Sequence, residues 1–463
     1  MSMTKGFSNA FRIPELRKKI LITLGLVFVT RLVSQIPTPG VDWRALQGVI
    51  ETARQTSGGG GLLDWFDVFT GGALGQCAIG FLSIWPYISA QIVIQLLSSV
   101  IPSLEKLKKE GESGRQQLAQ ITRYLTIVLC VFQSWGIATM LSHPGAFGAA
   151  FAGTEIVVNP GIGFHLMTVI GMTSAALFVM WIADQITTFG IGNGASLIIM
   201  INITSRLPQA LISAWDRYFG VSRTGQLAEL PILIVFFILV VMGTVLLTQG
   251  VRKVAIHTTR RSVSGGNTYG MQQTFMPLRV NYTGVMPIIF AQPLIQIPSV
   301  ILKKVTMGAS GGFLSSLNRF ASQLEDSTSA LHICVYAVLI MFFAFFWVAT
   351  QFNAVDISEN LKKDGSYIPG IRPGRATAEF LDDTMTKITL IGGTGLLIVA
   401  IIPMLLMGWM RIDWAIASFF GGTSLLIIVG VALDTLRIME SHLLVRKYDG
   451  FLSHGTLRGR GGM

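Results

Sequence analysis

Residues 85–95 read WPYISAQIVIQ and residues 286–296 read MPIIFAQPLIQ. Six of the eleven positions match: Pro86/Pro287, Ile88/Ile289, Ala90/Ala291, Gln91/Gln292, Ile94/Ile295 and Gln95/Gln296. Each stretch sits in an apolar run of the length needed to cross about 30 Å of hydrocarbon, which takes roughly 20 helical residues. A fainter echo aligns GNGASLII (192–199) with GGTSLLII (421–428), less one residue, setting Gly194 on Gly422, Ser196 on Ser424 and Ile199 on Ile427. Counting outward from these stretches gives ten runs, at 20–37, 76–97, 124–142, 162–183, 194–213, 231–249, 284–302, 331–353, 386–407 and 419–437. The first echo joins runs two and seven, the second runs five and ten. Five runs per half is an odd number, so equivalent helices cross the membrane in opposite senses. That arrangement is an inverted-topology repeat, which places a pathway between the halves near the midplane.

The rest of the chain agrees with a membrane reading. Hydrophobic residues make up 51% of its 463 residues and charged residues only 13%, about half the roughly 25% of an ordinary soluble domain. Alternating ten-residue strands of the barrel type are absent, and helices satisfy their own backbone hydrogen bonds in lipid. The expected fold is an all-α polytopic membrane protein of ten transmembrane helices in two inverted-repeat halves. The expected divisions are a segment 1–19, halves at 20–213 and 214–437, and a tail 438–463.

Basic residues between the runs orient the chain. With the N-terminus in the cytoplasm, 25 Lys and Arg fall inside and nine outside. Both termini are therefore expected in the cytoplasm. The basic start runs into a long apolar segment without a small-residue cleavage site and is expected to be retained. The count of basic residues leaves Arg31 inside the first run, near enough to an end to snorkel to the interface.

Chemistry of the enzymatic kind has no foothold. Gly190-Ile191-Gly192-Asn193-Gly194 lacks the lysine of a phosphate-binding loop and leads straight into an apolar helix, so its glycines break or pack a helix. The six histidines are scattered, and the three cysteines, Cys77, Cys130 and Cys334, lack metal-ligand spacing. No cofactor, metal or catalytic residue is expected. The repeats instead bring isoleucines together, and a ring of branched apolar side chains would dewet and block ions. The competing reading puts these isoleucines against lipid or neighbouring helices.

Three further features carry functional readings. Residues 62–75, LLDWFDVFTGGALG, are too short and too charged to span, which suits a re-entrant half-helix or an amphipathic helix on the outer surface. Gln91 with Gln95 and Gln292 with Gln296 are i, i+4 pairs, each presenting two amides on one helix face. Such amides are glue between helices, or a gate weak enough to part. The loops 251–283 and 354–385 exceed what a connection needs. The first carries five basic and no acidic residues, and the second presents Arg372 in a Pro/Gly-punctuated turn, YIPGIRPG (367–374). Both suit attraction to anionic lipids or docking of a soluble partner.

Eight stretches, in order, then make a family recognisable: IPTPG (36–40), FTGGAL (69–74), PYISA (86–90), KEGESGR (109–115), GIGNG (190–194), NLKK (360–363), PGIRPG (369–374) and FGGTSLLI (420–427). Over almost its whole length the chain resembles the SecY/Sec61 alpha family of protein-conducting channels. The resemblance implies two clamshell halves around a central pore, with a lateral gate beside runs two, three, seven and eight. It sets the family's pore ring on Ile84, Ile88, Ala195, Ile199, Ile289 and Ile427, four of which the internal echoes had already paired. It makes 62–75 a plug, with Leu63, Asp64, Phe66, Asp67, Phe69, Gly71 and Gly72, and puts Gln91, Gln95, Gln292 and Gln296 at the lateral gate. It makes the two long loops a docking surface, with Arg260, Arg261, Arg372, Pro373 and Gly374, for the ribosome or the SecA motor ATPase. It also implies the small subunits SecE and SecG, signal sequences and nascent polypeptides as clients, and a bacterial cytoplasmic membrane. Ala195 stands where the family has a bulkier ring residue, so the constriction is expected to be wider there or filled by a neighbour. The alternatives are a secondary transporter, for which no charged constellation exists, and a non-conducting scaffold.

Overall fold

The computed structural model describes residues 13–48, 67, 70–143, 156–219, 229–258, 273–306, 312–410, 412, 416–417 and 423–454. Eight helical stretches among them are long and apolar enough to cross a membrane. They coincide with expected runs two to nine. The remaining two runs fall on α1 (Pro14–Val33) and α14 (Thr423–His454), whose apolar cores are flanked by charges such as Arg17, Lys18, Lys19, Asp434 and Arg437. The described chain divides into two compact units, one of Met1–Thr56, Trp65–Leu207 and Gly430–Met463, the other of Ser57–Asp64 and Pro208–Val429.

In the first unit, α1 begins at Pro14, where proline's missing N–H costs nothing, and ends at Val33. The expected run 20–37 therefore ends four residues early. Residues beyond Val33 leave the helix because they pair elsewhere: Ile79 N–H donates to Ile36 O at 2.9 Å and Thr38 N–H donates to Cys77 O at 2.9 Å. The second run is likewise broken. A short 3-10 turn, Ile79–Leu82, is followed by a kink at Ser83 and Ile84 before α2, Trp85–Val100. Cys77 (φ 43°) and Ser83 (φ 46°) are the non-glycine residues with positive φ among those described, a conformation that survives only where its surroundings hold it.

Helices α3 (Pro102–Lys109), α4 (Glu112–Ser142), α5 (Ile162–Phe189) and α6 (Gly194–Thr204) complete this unit's first stretch. Along α4 the buried side chains Thr122, Thr126, Cys130, Ser134 and Ala138 recur every fourth residue. Small side chains at that spacing let helix backbones approach, which drives association in lipid, where apolar burial alone gives no preference. Their hydroxyls turn back onto the preceding helical turn, as in Thr126 Oγ1 to Thr122 O at 2.8 Å and Ser134 Oγ to Cys130 O at 2.6 Å. No polar atom of the stripe then needs water. Cys130 meets Met172 and Ala176 of α5 in one apolar cluster. The opposite faces show Phe132, Trp135 and Ile170 outward, as a lipid-facing surface requires.

The GIGNG segment separates α5 from α6, as its glycines led one to expect. Asn193 caps α6 by accepting from Ser196 N–H at 3.1 Å. A Cβ on Gly194 would lie 2.0 Å from Ala183 O, a backbone atom that cannot move aside. Gly194→Val is therefore expected to destabilise the protein by about 3 kcal/mol, the upper range for overpacking. Thermal unfolding in detergent would show it as a lower midpoint; an unchanged midpoint would refute the close α5–α6 packing. Run five itself is interrupted: α6 ends at Thr204, Ser205 and Arg206 form a turn, and α7 continues over Leu207–Phe219.

In the second unit, α8 (Glu229–Gln249), α9 (Met286–Thr306), α11 (Ala330–Gln351) and α13 (Arg375–Met410) share a core around Val240, Ile288, Ile295, Tyr336, Ile340 and Leu396. An amphipathic α10 (Gly312–Glu325) lies between α9 and α11 in sequence. Loop 251–283 supplies an antiparallel hairpin, β1 (Val251–Thr258) with β2 (Gln273–Arg279), in the register Val251 to Arg279. Loop 354–385 supplies α12 (Ala354–Lys363), the two-residue β3 (Ser366–Tyr367) and the start of α13. The strand order is β2-β1-β3, so both long loops build one small sheet. Helix α14 runs to His454, past the expected end at 437.

Candidate functional site

Both echoed helices start on the first residue of the echo. Trp85 opens α2 and Met286 opens α9, each with proline next. Ile88 N–H donates to Ile84 O at 3.1 Å and Ile289 N–H donates to Val285 O at 3.2 Å. The repeat also extends further than the sequence comparison suggested. Ser98 Oγ donates to Gln95 O at 2.7 Å, and Ser299 Oγ, at the equivalent position, donates to Gln296 O at 2.8 Å. Two stretches that share only six of eleven residues thus share helix start, first-turn bonds and a serine tie.

Within the first unit, Ile84, Ile88 and Ile199 line one concavity together with Thr70, Leu82, Ser83 and Trp85. Ile84 and Ile88 are buried and Ile199 is half-buried. Ala195, one helical turn before Ile199, is half-buried and not among the concavity's lining residues. In the second unit Ile289 and Ile427 are buried, on α9 and α14. Of the glutamines, Gln91 is exposed and Gln95 half-buried, whereas Gln292 and Gln296 are buried. Gln292 Nε2 has no hydrogen-bond partner among the described residues.

A polar cluster borders the concavity. Arg31, near the end of α1, is half-buried. Its guanidinium donates to Asn202 Oδ1 at 3.1 Å and to Gly71 O at 3.0 Å. Asn202 Nδ2 in turn donates to Ser83 Oγ at 3.0 Å, which steadies the positive-φ kink. Arg206 pairs with the carboxylate of Asp67. Gly71 is required by space as well as backbone, a Cβ there also falling 2.9 Å from Asn202 O, whereas Gly72 is required by its backbone. Gly71 (φ 66°) and Gly72 (φ 95°) have positive φ, and a Cβ would fall 2.4 Å from Arg31 Nη1 and 3.2 Å from Arg206 Cζ respectively. Of the expected plug residues, Asp67, Gly71 and Gly72 are thus placed; Leu63, Asp64, Phe66 and Phe69 lie outside the described residues. Asn202, Ser83 and Arg206 had not been singled out. A lone asparagine in an apolar helix was the available signal, since a buried amide demands a partner.

In the second unit the Pro/Gly turn is held at both ends. Ile371 N–H donates to Ile368 O at 3.1 Å, Ser358 Oγ of α12 donates to Gly374 O at 2.6 Å, and Thr377 Oγ1 of α13 donates to Arg372 O at 2.9 Å. Ile368 is buried in a cluster with Val254 and Leu278 of the hairpin. Arg372 and Pro373 remain exposed and Gly374 is half-buried. A fixed backbone therefore presents a solvated guanidinium, which lowers the entropy lost on docking. Arg260 and Arg261 lie outside the described residues.

Comparison with known proteins identifies the family and the fold. The SecY family model matches residues 78–436. The protein translocase subunit SecY of Streptomyces scabiei is 39% identical over 97% of this chain and 100% of its own length. That of Escherichia coli is 37% identical over 96% of each. Among solved structures, a protein conducting channel superposes with a TM-score of 0.60 at 16% identity, covering 94% of both chains. Sec61 from a canine ribosome–channel complex of the endoplasmic reticulum superposes with a TM-score of 0.56 at 15% identity, over 94% of both. At those identities the superpositions speak for the fold.

Proposed function

The chain belongs to the SecY family, and from that premise we propose how this sequence works as a gated pore for polypeptides. It is a protein-conducting translocation channel subunit and not an enzyme. It passes secretory chains across the bacterial cytoplasmic (inner) membrane and releases membrane-protein helices sideways into lipid. Ten helices form the two inverted-repeat halves, 20–213 and 214–437, with the N-terminal segment 1–19 and the tail 438–463 in the cytoplasm. The 25-to-nine distribution of basic residues supports that orientation.

The observation that carries this reading is the concavity lined by Ile84, Ile88 and Ile199 with Thr70 beside them. A wall of branched apolar side chains excludes water and ions yet binds no particular sequence, because apolar contact is nondirectional. Ile289, Ile427 and Ala195 complete the ring in this reading. Residues 62–75 cap it as the plug. Gln91, Gln95, Gln292 and Gln296 form the gate's polar contacts, a reading supported by the buried Gln292 Nε2, which has no hydrogen-bond partner among the described residues. An apolar signal helix enters by exchanging helix–helix for helix–signal contacts. Arg372, Pro373 and Gly374, with Arg260 and Arg261, receive the ribosome or the SecA motor. SecE and SecG complete the complex, and anionic lipids attract its basic cytoplasmic loops.

The test is co-reconstitution with SecE in liposomes, followed by motor- and ATP-dependent uptake of a secretory precursor. Precursor protected from added protease is the expected result. No protection, with folded protein and an active motor, would refute the channel reading and return the solute carrier and the scaffold to consideration.

A further inference from the structure

We infer, resting on the channel reading above, that Asn202 is a positioning residue: its side-chain amide holds the kink at Ser83 and so keeps Ile84 and Ile88 aimed into the isoleucine concavity. Ser83 has φ 46° and ψ −133°, angles that glycine adopts freely and that strain a residue with a Cβ. Its surroundings must therefore hold it. On its N-terminal side the chain is pinned by packing. A Cβ on Gly80 would fall 2.9 Å from Val33 O, at the end of α1, and Leu82 is buried in one cluster with Cys130, Met172 and Ala176. Directly after Ser83 come Ile84 and α2. The angles of Ser83 thus set the direction in which α2 leaves the pinned turn.

The bond that holds Ser83 comes from α6. Asn202 Nδ2 donates to Ser83 Oγ at 3.0 Å. The two residues are 2% and 5% exposed, so water competes little for the bond and the low local dielectric strengthens it. A third group sets the orientation of the amide. A guanidinium only donates, and Arg31 donates to Asn202 Oδ1 at 3.1 Å. With Oδ1 engaged by a donor, the NH2 end faces Ser83, whose hydroxyl oxygen accepts. Asn202 also lies three residues after Ile199 in α6, on the same helix face. Ser83, Ile84, Ile88 and Ile199 all line the concavity. One hydrogen bond therefore joins its two isoleucine walls, one residue from Ile84 and about one turn from Ile199. Releasing that bond lets Ser83 relax to negative φ, which swings the first turn of α2, and Ile84 and Ile88 with it, away from the pinned turn.

Resting ion flux is measured in proteoliposomes holding the channel with SecE and no precursor, and motor-driven precursor uptake is measured in vesicles of the same preparation. Asn202→Ala is expected to raise resting flux about tenfold. That is equivalent to about 1.4 kcal/mol, within the cost of one non-glycine residue held in a sparsely populated backbone region. In a Ser83→Gly background the same replacement is expected to change flux by less than about twofold, because glycine keeps the kink without the bond. A merely structural role at position 202, or a disturbance of Arg31, raises flux equally in both backgrounds, so loss of the effect is particular to the kink. Parent-level flux in Asn202→Ala, or an equal rise in the two backgrounds, would overturn the inference. Should Asn202→Ala not be recovered folded, Ser83→Ala is compared with Ser83→Gly. Both lose the hydroxyl and keep Asn202 beside Arg31, and they differ in the cost of positive φ. At least about fivefold higher flux in the alanine variant is expected, and equal flux overturns the inference. Parent uptake with none of these flux changes refutes this role for Asn202 alone, while absent uptake in the parent refutes the channel reading and this role with it.

Discussion

Arg372→Glu is expected to lower motor-driven precursor uptake by about 100-fold while leaving the protein folded and inserted. The geometry sets the size of the effect. Ser358, Thr377 and Ile368 fix the turn backbone from three sides, so the exposed guanidinium is presented with little conformational freedom to lose. Bonds to the turn run through the carbonyls of Arg372 and Gly374, which a side-chain replacement leaves in place. Stability should therefore change little. Reversing a charge that faces a complementary partner surface costs several kcal/mol, and about 3 kcal/mol corresponds to roughly 100-fold in affinity. Titrating the motor against vesicles bearing parent or variant would separate docking from transport. Weak uptake that recovers at high motor concentration supports docking, and normal uptake at low motor concentration refutes it.

Replacing Ile88 and Ile289 together by serine is expected to raise resting ion flux by at least about tenfold. Each substitution exchanges a branched apolar side chain for a small polar one, making local wetting easier by about 2 kcal/mol. Dewetting is the barrier in such constrictions, so the two changes act on the rate-limiting free energy itself. Ile88 and Ile289 occupy the same position in the two echoed helices, each closing the first turn after a proline. The single variants should each leak less than the double. Flux at the parent level in the double variant would remove these isoleucines from the barrier.

Parts of this architecture were legible because they depend on local pattern. Runs two to nine coincide with the eight long apolar helical stretches, since the need to satisfy backbone bonds in lipid leaves helix as the answer for a run of that length. The echo paired two stretches whose helices start at Trp85 and Met286, but the expected runs, 76–97 and 284–302, began ahead of both starts. The breaks inside runs two and five were not legible. Ile79–Leu82 sits in apolar context and Ser205–Arg206 inside an otherwise apolar run, and hydropathy averages over so short a break. The partners of Arg31 were not legible for a related reason: near a helix end a long basic side chain reaches water by default, and its bonds to Asn202 and Gly71 come from positions far along the chain.

Sequence alone determined the solvent this chain folds in and its helical class. Those follow from composition and from periodicity, which act over a few residues. Tertiary structure alone decided the polar cluster: Arg31 meets Asn202 across 171 positions, Asn202 meets Ser83 across 119, and Arg206 meets Asp67 across 139. Hydrogen bonds and ion pairs act over about 3 Å, so their partners are chosen by packing after the helices have formed. Arg372 divides the same way, its residue type being visible in the chain and the fixed backbone of its turn arising only where α12, β3 and α13 close around it.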